Sequence, residues 1–258
     1  MAVDCYKNEG FCKDLNMEKY FAKFSDIMRN NDIDIYNSQE LSEKFGLLSQ
    51  LLIQENSKYN LTAIKEEDLI LPLHFADCLL GMEYIPMGAK LIDVGCGGGF
   101  PTLPLAIVRD DLKITAMDST EKKLGFVELV CRELGLRNIT TLVGRAEEHG
   151  KNVKYREKFD VACARGVSRL NILSELCMPF ISVGGKFVAM KGAMGEEEYG
   201  EAAAGIVKLG GRDGEIYHKK LYVSDAESCE RTFVVVEKVK NTPEAYPRMY
   251  SKIKSKPL

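Results

Sequence analysis

Leu91-Ile92-Asp93-Val94-Gly95-Cys96-Gly97-Gly98-Gly99-Phe100 is a short apolar strand pattern that runs directly into a glycine cluster. Apolar residues ending at Val94 suit a buried parallel strand. The glycines suit a turn that needs positive φ and leaves room for a ligand to approach the backbone. Pro101 fits the first turn of a following helix, where its missing N–H costs nothing. With Gly95, Gly97 and Gly99 as the fingerprint positions, Phe100 stands where a dinucleotide-binding loop wants its third small residue. That disfavours a nicotinamide cofactor and favours S-adenosylmethionine, which has a carboxylate and an adenosine but no pyrophosphate. A glycine-rich turn that binds nothing is the competing reading.

Nineteen residues past Gly99, at the end of the strand pattern Lys113–Met117, stands Asp118. An acidic side chain at that interval is placed to accept hydrogen bonds from ribose hydroxyls. Asp118-Ser119-Thr120 is also helix-capping chemistry, and both roles remain open at this point.

Downstream, strand and helix patterns alternate. Strands are expected at Lys90–Val94, Lys113–Met117, Ile139–Val143, Phe159–Ala164 and Lys186–Met190. Helices are expected at Pro101–Arg109, Glu121–Leu134, Ala146–His149, Leu170–Cys177 and Glu196–Leu209, with Gly135 and Gly210-Gly211 as stops. Glu215–Val223 and Arg231–Val239 read as a hairpin joined by the polar loop Ser224–Glu230. Such alternation implies an α/β fold, a mostly parallel sheet with helices on both faces and an antiparallel C-terminal hairpin. Upstream, Met17–Arg29, Gln39–Ser57 (with the stripe Leu41, Phe45, Leu48, Leu52) and Leu69–Leu80 have helical spacing, whereas residues 1–16 look uncommitted. The chain therefore divides into an N-terminal helical extension packed on the core (1–85), a core (86–240) and a basic tail (241–258).

Composition is that of an ordinary globular protein: 258 residues, 45% hydrophobic, 28% charged, net charge −3. No apolar run reaches the roughly eighteen residues of a membrane span, and the N-terminus lacks the basic and apolar regions of a signal peptide. The eight cysteines are scattered, with no C-x-x-C pair and no Cys/His cluster. No metal site is expected, and free thiols fit a reducing cytoplasm. From Glu237 onward six basic residues face two acidic ones. That tail is either a phosphate-binding element or simply solvated.

In a sheet of this kind ligands sit beyond the carboxyl ends of the strands, so the residues that follow each strand are the candidates. Backbone N–H groups of Gly95–Gly99 and the next helix N-terminus can hold a carboxylate, and Asp118 can take a ribose. Ala146 and Glu147 stand where an adenine edge would lie, although Glu147 is also what a helix N-terminus attracts. Arg165 follows the fourth strand, suited to a carboxylate, an RNA phosphate or a surface ion pair. Lys191 is a candidate phosphate contact, and His74 is either near the site or structural. Cys163 lacks a prolyl-cysteine context and reads as a strand residue.

Collected together, these positions resemble the bacterial 16S ribosomal RNA guanine-N7 methyltransferase G family, also called glucose-inhibited division protein B. The resemblance is carried by Tyr59-Asn60-Leu61-Thr62-Ala63-Ile64, Leu73-His74-Phe75-Ala76-Asp77-Cys78-Leu79 and Asp93–Pro101. Asp118-Ser119 with Lys122-Lys123, Gly144–Glu148, Ala164–Val167, Ala189–Gly192, and Asn241-Thr242-Pro243 with Tyr246-Pro247-Arg248 complete it. It implies a class I S-adenosylmethionine-dependent methyltransferase fold, Rossmann-like, with a seven-stranded sheet. It also implies cofactor contacts at Gly95, Phe100, Ala146–Glu147 and Arg165, and a guanine N7 in 16S rRNA of the small ribosomal subunit as acceptor. The expected protein is monomeric and cytoplasmic. Ser251 and Ile253 depart from the glycine and proline that the family's tail usually carries. The alternatives are a methyltransferase with a different RNA or small-molecule acceptor, and a non-catalytic ribosome-assembly factor that keeps the fold.

Overall fold

The computed structural model describes residues 17–258 apart from Lys65; the uncommitted segment expected over 1–16 lies outside the described residues. Strands β1 (Lys90–Val94), β2 (Lys113–Asp118), β3 (Ile139–Val143), β4 (Phe159–Arg165) and β5 (Ile181–Lys191) pair in parallel. β6 (Glu215–Tyr222) and β7 (Ser228–Glu237) form the expected hairpin, and β7 adds antiparallel to β5. The sheet order is β3-β2-β1-β4-β5-β7-β6. Successive strands step one way from β1 to β3 and the other way from β4, so the crevice between β1 and β4 is the switch point. The glycine loop leaves the sheet there.

Helices α1 (Met17–Asn30) and α2 (Gln39–Tyr59) lie against one face. Ser38 starts α2 by accepting the Leu41 N–H at 3.2 Å, and Asn60 ends it in the left-handed conformation. Phe24 and Phe45 share one buried cluster with Leu91, Ile114 and Val161 of the sheet. An aromatic row continues inward: Phe24–Phe45 at 5.6 Å, Phe45–Phe75 at 5.1 Å and Phe75–Phe100 at 6.2 Å between centroids. The N-terminal helices are thus packed continuously down to the end of the glycine loop.

The helix expected over Leu69–Leu80 is composite. A single turn, α3 (Glu67–Ile70), passes into a π-helical segment over Leu71–Ala76 and ends in α4 (Asp77–Leu79). Pro72 has no N–H to donate, and widening the turn accommodates its ring where α-helical spacing would clash. Helices α5 (Thr102–Val108), α6 (Glu121–Leu134), α7 (Ala146–His149), α8 (Leu170–Cys177) and α9 (Gly195–Lys208) fall within two residues of the expected limits. β5 is the main difference, beginning five residues before the expected Lys186. Gly184-Gly185 reads as punctuation in sequence, yet both residues pair with the start of the tail: the Gly184 N–H donates to the Lys238 carbonyl at 2.7 Å and the Gly185 carbonyl accepts from the Lys238 N–H at 2.8 Å. The sheet register also shifts beside them, between Phe159 and Val161.

The C-terminal tail is neither solvated nor wholly free for phosphate. Lys238 is fully buried, donating to Glu157 at 2.8 Å and to the Met178 carbonyl at 2.9 Å. Arg156 donates to the carbonyls of Thr242 and Tyr246. Glu175, also fully buried, receives the Arg248 backbone N–H at 2.7 Å and the guanidinium at 2.6–3.1 Å. A buried charge of this kind is tolerable only when paired and fully hydrogen-bonded. The tail ends in α10 (Tyr250–Ser255), which buries Ile253 in the second hydrophobic cluster. Both departures from the family's tail lie in this helix. Of the six basic residues, Lys240, Lys252, Lys254 and Lys256 remain exposed.

The glycines provide a direct check of the packing. A Cβ on Gly185 would lie 2.6 Å from the Asp160 carbonyl oxygen, whereas one on Gly125, exposed within α6, meets nothing within 4 Å. Gly185→Ala is expected to destabilise by about 1–3 kcal/mol. Gly125→Ala is expected to stabilise by about 0.5–1 kcal/mol. Urea denaturation of the two variants measures both, and equal effects would contradict this register of β5.

Candidate active site

At the switch point lies a cavity of about 530 Å³, lined by residues that follow β1, β2, β3 and β4 and by Leu61, His74, Leu176 and Tyr250. Gly95, Gly97, Phe100, Asp118, Ala146, Glu147 and Arg165 all line it, so strand ends remote in sequence converge on one space. Gly99 does not. Its φ is +89°, and an added Cβ would lie 2.6 Å from Leu103 and 3.1 Å from Val127. It serves close packing of the loop on α5 and α6. Gly97, at φ +56°, opens onto free space, and any side chain there would project into the cavity.

The loop is tied down by its own amides, which revises the expected carboxylate cradle. The Gly95 and Cys96 N–H groups both donate to the Met117 carbonyl, at 2.8 and 2.9 Å. Those of Gly99 and Phe100 donate to the Cys96 carbonyl, and that of Thr102 to Asp93. The Gly97 N–H donates to Asp118 Oδ2 at 3.0 Å. Few donors are left for an anion. Lys123 and Arg145, which also line the cavity, supply the positive charge instead. Lys123 was not singled out from sequence as a site residue, and Arg145 only as part of the stretch Gly144–Glu148 after β3, although each stands within five residues of a strand end.

Asp118 accepts the Thr120 N–H on Oδ1 at 2.8 Å in a tight turn before α6, whose N-cap is Thr120, while it also pins Gly97. Each carboxylate oxygen retains acceptor capacity toward the cavity. Arg165 is less available. Nη1 donates to the Leu73 carbonyl at 3.0 Å and to Asp77 at 2.7 Å, and Nη2 donates to His74 Nδ1 at 3.0 Å. Asp77 in turn receives Arg231 of β7 at 2.6 Å. Lys191 is held by Glu198 at 2.7 Å and by the Ser168 carbonyl, so the expected phosphate contact is an internal ion pair. Cys163 is buried in β4, and burial pushes its thiol far above the ordinary range, which removes it as a nucleophile.

His74 belongs to the site. The π-helical segment carries it to the cavity wall, where its ring stacks on Phe100 at 4.5 Å. Burial, reinforced by the Arg165 charge, holds its pKa down at about 3. Deep beneath the loop, Asp93 has the opposite shift: burial pushes its carboxyl up to about 7 against two hydrogen bonds from Thr102, and Oδ1 has no partner. Among the described residues no cluster of three or more His, Cys, Asp or Glu could hold a metal ion, and no helix is long and apolar enough to cross a membrane.

A doubly wound sheet with β7 inserted antiparallel between β5 and β6, and a glycine loop over an acidic residue at the switch point, defines a class I S-adenosylmethionine-dependent methyltransferase. The space over Gly97, the cations Lys123 and Arg145, and the Asp118 carboxylate fit that cofactor's bulk, carboxylate and ribose. Residues 41–224 match the family model described as rRNA small subunit methyltransferase G, GidB. The chain is 40% identical to the ribosomal RNA small subunit methyltransferase G of Brevibacillus brevis over 92% of its length and 98% of that protein. It is 39% identical to the protein of the same name from Clostridium novyi over 95% of its length and all of that protein. The chain belongs to the rRNA small subunit methyltransferase G family, and its cofactor is S-adenosylmethionine.

The two perturbed groups act on folding with opposite signs. His74 refuses a proton in the folded state that it takes below its ordinary 6.5 when unfolded, so stability is lost as pH falls from 6.5 toward about 3. Asp93 keeps a proton when folded that it gives up above its ordinary 3.8 when unfolded, so stability is lost as pH rises from 3.8 toward about 7. The slopes oppose each other in the overlap. Asp93→Asn removes one of them, and the unfolding free energy of that variant is expected to fall by about 1.4 kcal/mol per pH unit from pH 6 to 4.5 while the unsubstituted protein stays nearly flat. Urea titrations at a series of pH values decide it; parallel curves would contradict these assignments.

Proposed function

We propose that the protein transfers a methyl group from S-adenosylmethionine to N7 of one guanine in 16S rRNA, acting on the small ribosomal subunit in the cytoplasm. Two curated relatives at about 40% identity over nearly their whole length are named for small-subunit rRNA methylation. The single structural observation that supports the chemistry is that His74, the imidazole lining the cavity, is not free to act as a general base. That imidazole is neutral, its Nδ1 lone pair is occupied by Arg165, and Nε2 is engaged by Thr62.

Guanine N7 has an in-plane lone pair and no proton to lose, so a base has no task there. The cofactor, when bound, supplies an electrophilic methyl group on a sulfonium. The protein's part is placement and exclusion of water. Glu147 and Ala146 would meet the adenine edge, Asp118 the ribose, and Lys123 or Arg145 the carboxylate. Phe100, stacked on His74, closes the apolar side. Arg165 acts as a positioning residue that holds His74 and the π-helical segment in place. The exposed Lys252, Lys254 and Lys256 follow Tyr250 at the cavity mouth, and there they would meet RNA phosphates.

Incubation with labelled S-adenosylmethionine and small subunits that lack the modification, followed by RNA digestion and mass spectrometry, tests this reading. Labelled 7-methylguanosine is expected, and Gly97→Leu, which fills the cavity, should abolish both labelling and cofactor binding. A labelled nucleoside other than 7-methylguanosine, or cofactor binding without any labelling of RNA, would overturn the acceptor.

A further inference from the structure

We propose that Thr62 reads the acceptor base: its hydroxyl donates to O6 of a guanine held in a second cavity beside the cofactor cavity, and so separates guanine from adenine. This inference rests on the guanine-N7 reading above and adds to it the residue that sets base identity.

The second cavity, of about 500 Å³, lies between the C-terminal half of α2 and the segment that follows it. That volume is within the roughly 300–1,000 Å³ of small-molecule sites. Leu52, Ile53, Ile64 and Ile70 give it apolar walls suited to the faces of a base, and Asn56, Asn60 and Thr62 give it polar edges. It adjoins the first cavity through one short stretch of chain. Leu61 lines the first and lies against Gly98, where an added Cβ would meet it at 3.2 Å, and the next residue, Thr62, lines the second. Asn56 fixes that stretch by accepting the Thr62 N–H at 2.9 Å.

The direction of every hydrogen bond at Thr62 follows from the chemistry of its partners. Arg165 Nη2 lies 3.0 Å from His74 Nδ1, and a guanidinium has only donors. Nδ1 must therefore offer its lone pair, and in the neutral ring the proton is on Nε2. Nε2 lies 2.6 Å from Thr62 Oγ1 and donates to it. The Ile64 N–H donates to the same oxygen at 3.0 Å. A threonine hydroxyl has two lone pairs and one proton. Both lone pairs are taken, so Thr62 can only donate, and no acceptor within the protein takes that proton among the described residues.

A hydroxyl that can only donate is a discriminating contact. On guanine, N7 and O6 are adjacent acceptors on one edge, whereas adenine presents N7 beside the donor N6. A guanine that offers N7 toward the first cavity brings O6 toward Thr62. An adenine in the same place would set two donors against each other with no lone pair between them, and such unpaired polar contacts are rejected strongly. Arg165 thus acts at a distance of two hydrogen bonds: by occupying His74 Nδ1 it makes Thr62 a donor.

The test uses small subunits reconstituted with 16S rRNA that carries guanosine or 2-aminopurine riboside at the methylated position. 2-Aminopurine keeps N7 and the 2-amino group and lacks O6. Single-turnover methylation is followed for the unsubstituted protein, Thr62→Val and Thr62→Ser, with cofactor affinity and melting temperature as folding controls. The unsubstituted protein is expected to lose roughly 10- to 100-fold in rate on 2-aminopurine. Thr62→Val should lose a similar factor on guanosine and nothing further on 2-aminopurine, and Thr62→Ser should keep the preference. If the two losses multiply, Thr62 is structural and the proposal falls. Should Thr62→Val fail to fold, equal rates of the unsubstituted protein on the two RNAs would overturn it alone. No methylation of the guanosine RNA by the unsubstituted protein would instead overturn the guanine-N7 reading, which keeps the two failures distinct.

Discussion

The Arg165 guanidinium is the constraint on which the rest of the site depends. It ends β4 and reaches across to the Leu73 carbonyl, Asp77 and His74, all in the π-helical segment or the turn after it. Asp77 passes the connection to Arg231 on β7. One nearly buried carboxylate therefore joins two cations from separate strands to a helix outside the sheet. Removing such charges from water is costly, and only complete pairing offsets the cost. The arrangement has a mechanical consequence: the irregular helix is held where its ring side chains Phe75 and His74 meet Phe100, and the aromatic row from α1 ends in the cofactor cavity.

The glycine loop follows a related logic. A loop whose amides were free would be an anion cradle, as in the phosphate-binding loops of doubly wound sheets. Here the amides of Gly95, Cys96, Gly97, Gly99 and Phe100 are consumed within the loop and by the end of β2. The result is a rigid floor with room above Gly97 and charge brought in from α6 and from the turn after β3. A cofactor with no pyrophosphate does not need the cradle, so shape and a few side-chain charges suffice.

What the sequence made legible is what short-range patterns encode. Apolar runs bounded by glycines located β1 to β4 almost to the residue, and the position of Phe100 separated this loop from a dinucleotide fingerprint. Convergence of Gly95, Asp118, Ala146 and Arg165 followed from the rule that strand ends meet. Three features were beyond reach for a common reason, that each depends on partners far apart in the chain. Gly184-Gly185 is strand and not turn because Lys238 pairs with it. Arg248 and Glu175, seventy-three positions apart, turn an apparently basic tail into an internal strut. The π-helical segment is held in place by Arg165, some ninety residues downstream of His74. Single-residue chemistry gives no sign of these pairings. Lys123 and Arg145 are a different case, since both stand within quoted stretches, Lys122-Lys123 and Gly144–Glu148, where neither was given a role of its own.

The suppression of His74 as a base is consistent with the reaction and not a loss to it. An imidazole free to titrate near neutrality would add a charge to the cavity wall and would change its own donor pattern with pH. Arg165 prevents both by repelling the second proton and by occupying Nδ1. Burial contributes the larger share of the shift, so the neutral ring is a property of the packed site. A ring held in one tautomer then has a single chemical use toward its neighbour, which is to donate. The polar wall of this cavity is thereby fixed in direction before any substrate arrives, and recognition of an acceptor lone pair needs no reorganisation of protons at the moment of binding.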